Sequence, residues 1–240
     1  MKDDIFSKSM NKVEPFVFDD KVVKVFDDMI RRSVPGYAPI IGLIGILAEQ
    51  YVKPNTLIYD LGCSTGACTL SMRKNIKHSD CKIIAVDNSY AMVEQCKKNI
   101  KADAGLVPVE VLCADLRDIK VENASMVVMN FTLQFIAPVD RLKVIQKIHD
   151  GILPGGIFII SEKIKFNDPV EDKAQTELYY AYKKMNGYSD LEISQKRTAL
   201  EEVLIPDTLE EHFKRLKVAG FQQAFVWFQC FNFVSIVAFK

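Results

Sequence analysis

An apolar run, Leu57-Ile58-Tyr59-Asp60-Leu61, leads straight into Gly62-Cys63-Ser64-Thr65-Gly66 and then into a helix start at Ala67. This strand, tight turn and helix constrain the chain more than any other stretch. Two glycines let the backbone turn sharply and approach a ligand closely, and the helix that follows offers free N–H groups to a polar ligand. A second apolar strand, Lys82-Ile83-Ile84-Ala85-Val86-Asp87, ends in a carboxylate. In open parallel sheets, ligands sit beyond the carboxyl ends of the strands. An acid at the end of the second strand can accept both hydroxyls of a ribose. Together the two elements point to a nucleoside-type ligand held by an α/β sheet.

The chain around them alternates in kind. Residues 1–18 read as an irregular arm. A helical pattern over 19–32 stops at Ser33-Val34-Pro35-Gly36, and a second apolar helix spans about 39–52. Then come strand 56–61, helix 66–76, strand 82–87 and a helix capped by Ser89 with the stripe Met92, Cys96, Ile100. Strand 109–113 leads to Asp115, and strand 125–130 ends at Asn130. Asp140 reads as the cap of a helix with Leu142, Ile145 and Ile148 inward. Leu153-Pro154-Gly155-Gly156 reads as a tight turn into strand 157–162. Strands alternating with helices give parallel βαβ units with right-handed crossovers.

Residues 163–205 interrupt that rhythm with two helices. The first carries Val170, Ala174, Leu178, Ala181 and Met185. The second opens on the capping box Ser189-Asp190-Leu191-Glu192. A helix from Pro206 to Gly220 and two strands, about 223–229 and 232–239, end the chain. So short a turn makes that pair antiparallel. The expected organisation is one domain over 1–240: a helical cover (1–52), a ligand-binding βα core (53–162), a helical insertion (163–205), and a closing helix with its strand pair (206–240).

Composition narrows the partners. Lysine plus arginine equals aspartate plus glutamate at 31 each, so no global basic field draws in nucleic acid. Six cysteines form no Cys-x-x-Cys, and three histidines lie far apart at 78, 149 and 212, so no metal site is expected. The cysteines read as reduced, mostly buried thiols in a cytoplasmic protein, and the charged N-terminus shows no signal peptide. The uncharged stretch after Val218 is broken by polar residues such as Asn232, which suits two strands better than a membrane span.

Two residues invite weighing. Arg197 follows Ile193 by four positions and precedes Leu200 by three, with Leu204 on the same stripe. A guanidinium on a core face needs an anion. Glu201 one turn on, or an edge position where the stem snorkels, accounts for it without a ligand; a ligand carboxylate accounts for it too. Tyr37 follows Pro35-Gly36 and either packs with its hydroxyl in water or closes over a ligand. Trp227 and Phe228 read as core, and the three histidines as surface.

Five parallel strands and a terminal antiparallel pair resemble the Rossmann-like class I S-adenosylmethionine-dependent methyltransferase fold: a mostly parallel seven-stranded sheet with an antiparallel C-terminal hairpin and helical cap segments. The resemblance rests on Asp60-x-Gly62-x-x-x-Gly66, Asp87 and Asp115 over about residues 50–240. A nicotinamide fold would show Gly-x-Gly-x-x-Gly instead. By likeness to that fold, the glycine loop lies under the methionine part, Asp87 holds the ribose, Asp115 faces the adenine amino group and Asn130 faces the reacting end.

More specific words carry a narrower resemblance. Arg31-Arg32-Ser33-Val34-Pro35-Gly36-Tyr37, Asp60-Leu61-Gly62-Cys63-Ser64, Asn130-Phe131-Thr132-Leu133-Gln134-Phe135, Ser194-Gln195-Lys196-Arg197 and Trp227-Phe228-Gln229-Cys230-Phe231-Asn232-Phe233 are similar to the carboxy-S-adenosyl-L-methionine synthase family across nearly the whole chain. That resemblance implies an enzyme that converts S-adenosyl-L-methionine and prephenate to carboxy-S-adenosyl-L-methionine and phenylpyruvate, without a metal. It implies a homodimer that does not itself bind nucleic acid or membrane. Its product would serve a tRNA carboxymethyltransferase that forms 5-oxyacetyluridine at the wobble position. By motif, the ligand residues fall on Tyr37, Gly62, Cys63, Ser64, Asp87, Asn88, Asp115, Leu116, Asn130 and Arg197, with Arg197 and Tyr37 at the reacting end. The transferred carboxylate would then be the anion of Arg197. The competing expectation is a conventional methyltransferase acting on a small molecule or RNA, which shares the nucleoside residues and gives Arg197 no carboxylate to hold.

Overall fold

The computed structural model describes residues 1–240. In chain order it contains α1 (Asp20–Ser33), α2 (Tyr37–Tyr51), β1 (Leu57–Leu61), α3 (Ala67–Asn75), β2 (Lys82–Asp87), α4 (Tyr90–Ala102), β3 (Val109–Cys113) and β4 (Ala124–Asn130). These are followed by α5 (Pro138–Gly151), β5 (Ile152–Lys163), α6 (Pro169–Met185), α7 (Asp190–Leu200), α8 (Leu209–Ala219), β6 (Gln223–Cys230) and β7 (Phe233–Phe239). The strands form one sheet in the order β3-β2-β1-β4-β5-β7-β6. β1 to β5 pair in parallel, and β7 is antiparallel to both β5 and β6. The expected class I methyltransferase architecture is the one found.

β4 is buried at every position but its last, and β1 at every position but its first. Such runs need cover on both faces. One face packs against α2 and α3 through Ile40, Ile44, Met72, Ile58 and Met126. The other packs against α5 and α8 through Ile145, Ile148, Leu216, Val127 and Phe158. Strand order reverses between β1 and β4, so their carboxyl ends open a crevice there. Gly62 and Asn130 stand at its two sides.

A third cluster lies above that crevice. Phe6 and Phe16 from the arm pack with Val22, Phe26 and Met29 of α1, Met92 of α4 and Ala199 of α7. The arm has no regular structure before Asp20, as expected, yet it is tied down. Phe16 N–H donates to the Ala199 carbonyl at 2.8 Å, and the Gln195 amide donates to the carbonyls of Phe6 and Lys8 at 2.9 Å each. No helix is long and apolar enough to cross a membrane.

Several local expectations need correction. The helix after β4 starts at Pro138 with Ala137 as its cap, not at Asp140, because proline's fixed φ suits the first helical position. On α6, Val170, Ala174, Leu178, Ala181 and Met185 all face outward, whereas Tyr179 and Lys183 are buried. Trp227 and Phe228 are half-buried on the edge strand β6 rather than core. His212 is 2% exposed, not surface; burial beside Arg215 pushes its imidazole down to about 4, so it is neutral. His149 is half-buried with its ring edge-on to Phe221, and only His78 is fully exposed.

Candidate active site

Two adjoining cavities open at the carboxyl edge of the sheet. One, about 390 Å³, lies beneath the cover and is lined by Tyr37, Gly62, Cys63, Ser64, Asn130 and Arg197 among others. The second, about 350 Å³, continues sideways past Asp87, Asn88, Asp115 and Leu116. Gly62, Ser64, Phe18, Phe131 and Phe135 line both, so the two form one bent groove. All ten residues singled out by motif line one cavity or the other. Their combined size suits a nucleoside with an amino-acid tail plus a second small molecule.

The turn after β1 is built by positive φ. Gly62 (φ 85°) has no room for a Cβ, which would meet Thr132 Oγ1 at 2.2 Å, and Gly66 (φ 90°) starts α3. Ser64 (φ 49°) and Phe131 (φ 59°) are non-glycine residues in the same left-handed region, and both line the groove. Backbone strain of this kind is sustained by surrounding structure and concentrates at ligand sites. Asp87 anchors the turn, accepting from the N–H groups of Ser64 and Ser89 at 2.9 Å each. Burial pushes its carboxyl up, and those backbone donors oppose the shift. Asp115 takes an Arg117 guanidinium at 2.7 Å, with Arg117 also bridging to Asp140 at 3.0 Å. That pairing holds the Asp115 carboxyl below its ordinary range.

Asp60, the acid of the glycine motif, lines the larger cavity. It is 1% exposed; its Oδ2 accepts from Thr69 at 2.5 Å, and its Oδ1 has no partner. Burial raises its carboxyl to about 6. Asn130 Oδ1 is likewise buried and unpaired. Both lie on the larger cavity, so two acceptor atoms there await a donor. Cys63 is held as a neutral thiol: its contact with Cys96 and its burial push it well up.

The loop after β4 is fixed from below. Glu162, 1% exposed, accepts from the N–H groups of Leu133 and Gln134 at 2.9 Å each. Buried Arg141 donates to the carbonyl of Ile136 at 2.9 Å and bridges Asp207 at 2.6 Å. Neither residue was legible as functional; each is a charged residue inside an otherwise ordinary strand or helix.

The expected core position of Arg197 needs correction. The buried face of α7 is Ile193, Gln195, Lys196 and Ala199, and α7 ends at Leu200, so Leu204 is not on it. Lys196, one residue earlier, takes the buried place. Its ammonium lies 2.9 Å from Ser33 Oγ and 3.5 Å from Asp3. Arg197 is exposed on one side and lines the larger cavity on the other, with no ion pair to Glu201 or to any other acid. Three further cavity residues escaped the sequence reading: Lys163 at the end of β5, and Tyr179 and Lys183 on α6.

A methyltransferase-domain family model matches residues 58–156. The carboxy-S-adenosyl-L-methionine synthase of Shewanella pealeana is 54% identical over 100% of this chain and 98% of its own. That of Vibrio cholerae is 55% identical over 100% and 97%. The chain belongs to the carboxy-S-adenosyl-L-methionine synthase family. The resemblance read from its motifs is therefore borne out, and the chain is a transferase. Among solved structures, an O-methyltransferase family protein from Burkholderia thailandensis aligns with a TM-score of 0.65 at 16% identity, covering 93% of this chain and 60% of that one. Human N-acetylserotonin methyltransferase, solved with its S-adenosylmethionine, aligns at 0.59 and 17%, covering 92% and 55%. The chain thus spans little more than half the length of these two neighbours, and at such identities the likeness concerns the fold alone.

Proposed function

We propose that this synthase-family chain converts S-adenosyl-L-methionine and prephenate to carboxy-S-adenosyl-L-methionine, phenylpyruvate and water. A carbon–carbon bond forms between the sulfonium methyl carbon and the carboxyl carbon that prephenate releases. The prephenate ring becomes aromatic and expels hydroxide, and the methyl proton leaves with that hydroxide as water. No protein base is needed for the balance.

The observation that carries this reading is Arg197. A guanidinium with no acidic partner lines the same cavity as Gly62 and Asn130, where the reacting end of the nucleoside would lie. Methyl transfer leaves no anion there; carboxyl transfer leaves a carboxylate that a planar fork grips with two bonds. Gly62, Cys63 and Ser64 line the methionine part, and the free Oδ1 of Asp60 suits its ammonium group. Asp87 and Asn88 suit the ribose, and Asp115 and Leu116 the adenine. Tyr37 starts α2 at the cavity wall, after Gly36 (φ 77°), which leaves room for the Phe228 ring, and its own ring lies 6.5 Å from that of Phe131. With Phe16 and Phe18 it keeps water from the reacting carbon.

The homodimer and the cytoplasmic setting implied by the family belong to the same proposal. The outward apolar stripe of α6 offers a face for a second copy. Carboxymethyl donation follows from the product's chemistry, because its new carboxymethyl group is activated by the same sulfonium; wobble uridine modification as its destination is what the family resemblance implies.

Incubating the protein with S-adenosyl-L-methionine and prephenate, then weighing the nucleoside product, tests the reading. A product heavier than the substrate by one carbon dioxide, formed one for one with phenylpyruvate, is expected. S-adenosylhomocysteine as the sole product would replace this reading with conventional methyl transfer.

A further inference from the structure

The larger cavity holds more positive charge than the nucleoside can use. Lys163, Lys183 and Lys196 line it together with Arg197. Lys196 has Asp3 as a partner. Lys183 is 4% exposed, and neither its ammonium nor that of Lys163 makes a hydrogen bond or an ion pair. Both ammoniums instead sit over the ring of Tyr179, 4.5 Å and 5.1 Å from its centre. A cation–π contact offsets part of the cost of burying an ammonium, but it does not supply the anion that a buried charge calls for. Like charges gathered in one cavity make the deficit worse: burial, then the charges of Lys196 and Lys163, push Lys183 down to about 7.

The nucleoside fills this need poorly. It brings a sulfonium and an ammonium, the latter facing Asp60, and its single carboxylate belongs to the methionine tail assigned to the turn of Gly62, Cys63 and Ser64. The second substrate brings carboxylates of its own. Lys163 stands two residues beyond Ser161, which pairs in register with Asn130. The lysines therefore border the same sheet edge as the reacting end. Prephenate carries two carboxylates, one that leaves with the transferred carbon and one that stays on the keto-acid side chain.

We propose that Lys163 and Lys183, set around the Tyr179 ring, form the subsite for the keto-acid carboxylate of the second substrate, leaving Arg197 to hold the carboxylate that is transferred. This inference rests on the reaction proposed above. It assigns each of the two acid groups its own cation, and so fixes which end of the substrate points at the sulfur. An apolar floor of Tyr179 and Phe233 (ring centroids 5.0 Å apart) lies beside the subsite to take the ring that becomes aromatic.

The test is steady-state kinetics of Lys163→Met and Lys183→Met, in which methionine keeps the stem and loses the charge. The KM for prephenate should rise about tenfold or more in each, with the KM for S-adenosyl-L-methionine moving less than about twofold, and Lys183→Arg should regain most of the loss. Phenylpyruvate retains the keto-acid carboxylate and lacks the transferred one, so its inhibition constant should rise in parallel. Should Lys183→Met fail to fold, Lys163→Met at its half-buried position and the phenylpyruvate measurement decide alone. An active variant with unchanged KM for prephenate overturns the subsite and leaves the reaction standing. A matching rise in KM for S-adenosyl-L-methionine overturns it too, by giving the lysines to the nucleoside's own carboxylate. A wild-type protein that releases no phenylpyruvate takes down both readings at once.

Discussion

The ammonium of Lys196 lies 3.5 Å from the carboxylate of Asp3, and both groups are buried. Tyr188 donates to the same carboxylate at 2.5 Å, and Arg32 donates to the Asp3 carbonyl at 3.2 Å. One acid near the start of the chain thus gathers α1, α7 and the turn between α6 and α7. Asp3→Asn keeps the shape and strands the ammonium. The expected loss is about 3 kcal/mol, as for other buried pairs broken on one side, read as a lowered melting temperature. Adding Lys196→Met should recover part of it. Equal stability of Asp3→Asn and wild type would mean that water or another acid serves Lys196.

Arg197→Ala should separate the two nucleosides. Affinity for the carboxylated product should fall about tenfold or more, the worth of a hydrogen bond to a charged group, while affinity for S-adenosyl-L-methionine changes little. Asp87→Ala should weaken both alike, since both carry the ribose. Calorimetric titration of each ligand into each variant checks the pattern, and equal losses in Arg197→Ala would remove that residue from its role.

Glu162 makes a claim about the loop rather than the ligand. Its two oxygens accept two backbone N–H groups. Glutamine presents one oxygen and one NH2, so one N–H would face another donor. Glu162→Gln should cost about 1–3 kcal/mol and raise hydrogen exchange at Leu133 and Gln134. Unaltered exchange there would mean the loop is held by Arg141 alone.

The lysine subsite carries a pH signature. Lys183 faces Lys163 from β5, Lys196 from α7 and Asp3 from the arm, beside Tyr179 on its own helix. Its ammonium, pushed down to about 7, is charged below that pH and neutral above it. A dianionic substrate binds the charged form better, so the KM for prephenate should rise as pH climbs from about 7 toward 9. Lys183→Arg stays charged throughout and should flatten that rise. An equally steep profile in Lys183→Arg would assign the titration to another group.

How far the sequence could be read depended on what kind of signal each element carried. β1, β2, β4 and β5 announced themselves as apolar runs because they are covered on both faces, and their ends located Asp87 and Asn130. The glycine turn was visible because Gly62 and Gly66 stand where only positive φ fits. On α7 the same spacing rule admitted both neighbours: positions three and four after Ile193 lie on one face, so Lys196 and Arg197 were equivalent until packing rolled the helix. On α6 the apolar stripe of Val170, Ala174, Leu178, Ala181 and Met185 faces outward, where periodicity alone would bury it. The cavity claims Tyr179 and Lys183, and a lysine four residues from a tyrosine reads as a solvated face until a pocket is seen beneath it. The arm gave no period at all, so its part in closing the groove through Phe16 and Phe18 was out of reach. Glu162 lies inside β5, and nothing local distinguishes a carboxylate that holds a neighbouring loop from one at a strand edge.

The residues that meet the nucleoside and the lysines proposed to meet the second acid come from different parts of the chain. Apart from Tyr37 and Arg197, the former run from Asp60 to Asn130; the latter are Lys163 at the end of β5 and Lys183 on α6. A single contiguous replacement from the end of β5 to α8 would therefore exchange the second partner, and Arg197 with it, while leaving the seat formed by the glycine turn and Asn130 untouched. Enzymes on this sheet can diversify by swapping one cassette of about forty residues, with no need to redesign the frame beneath it.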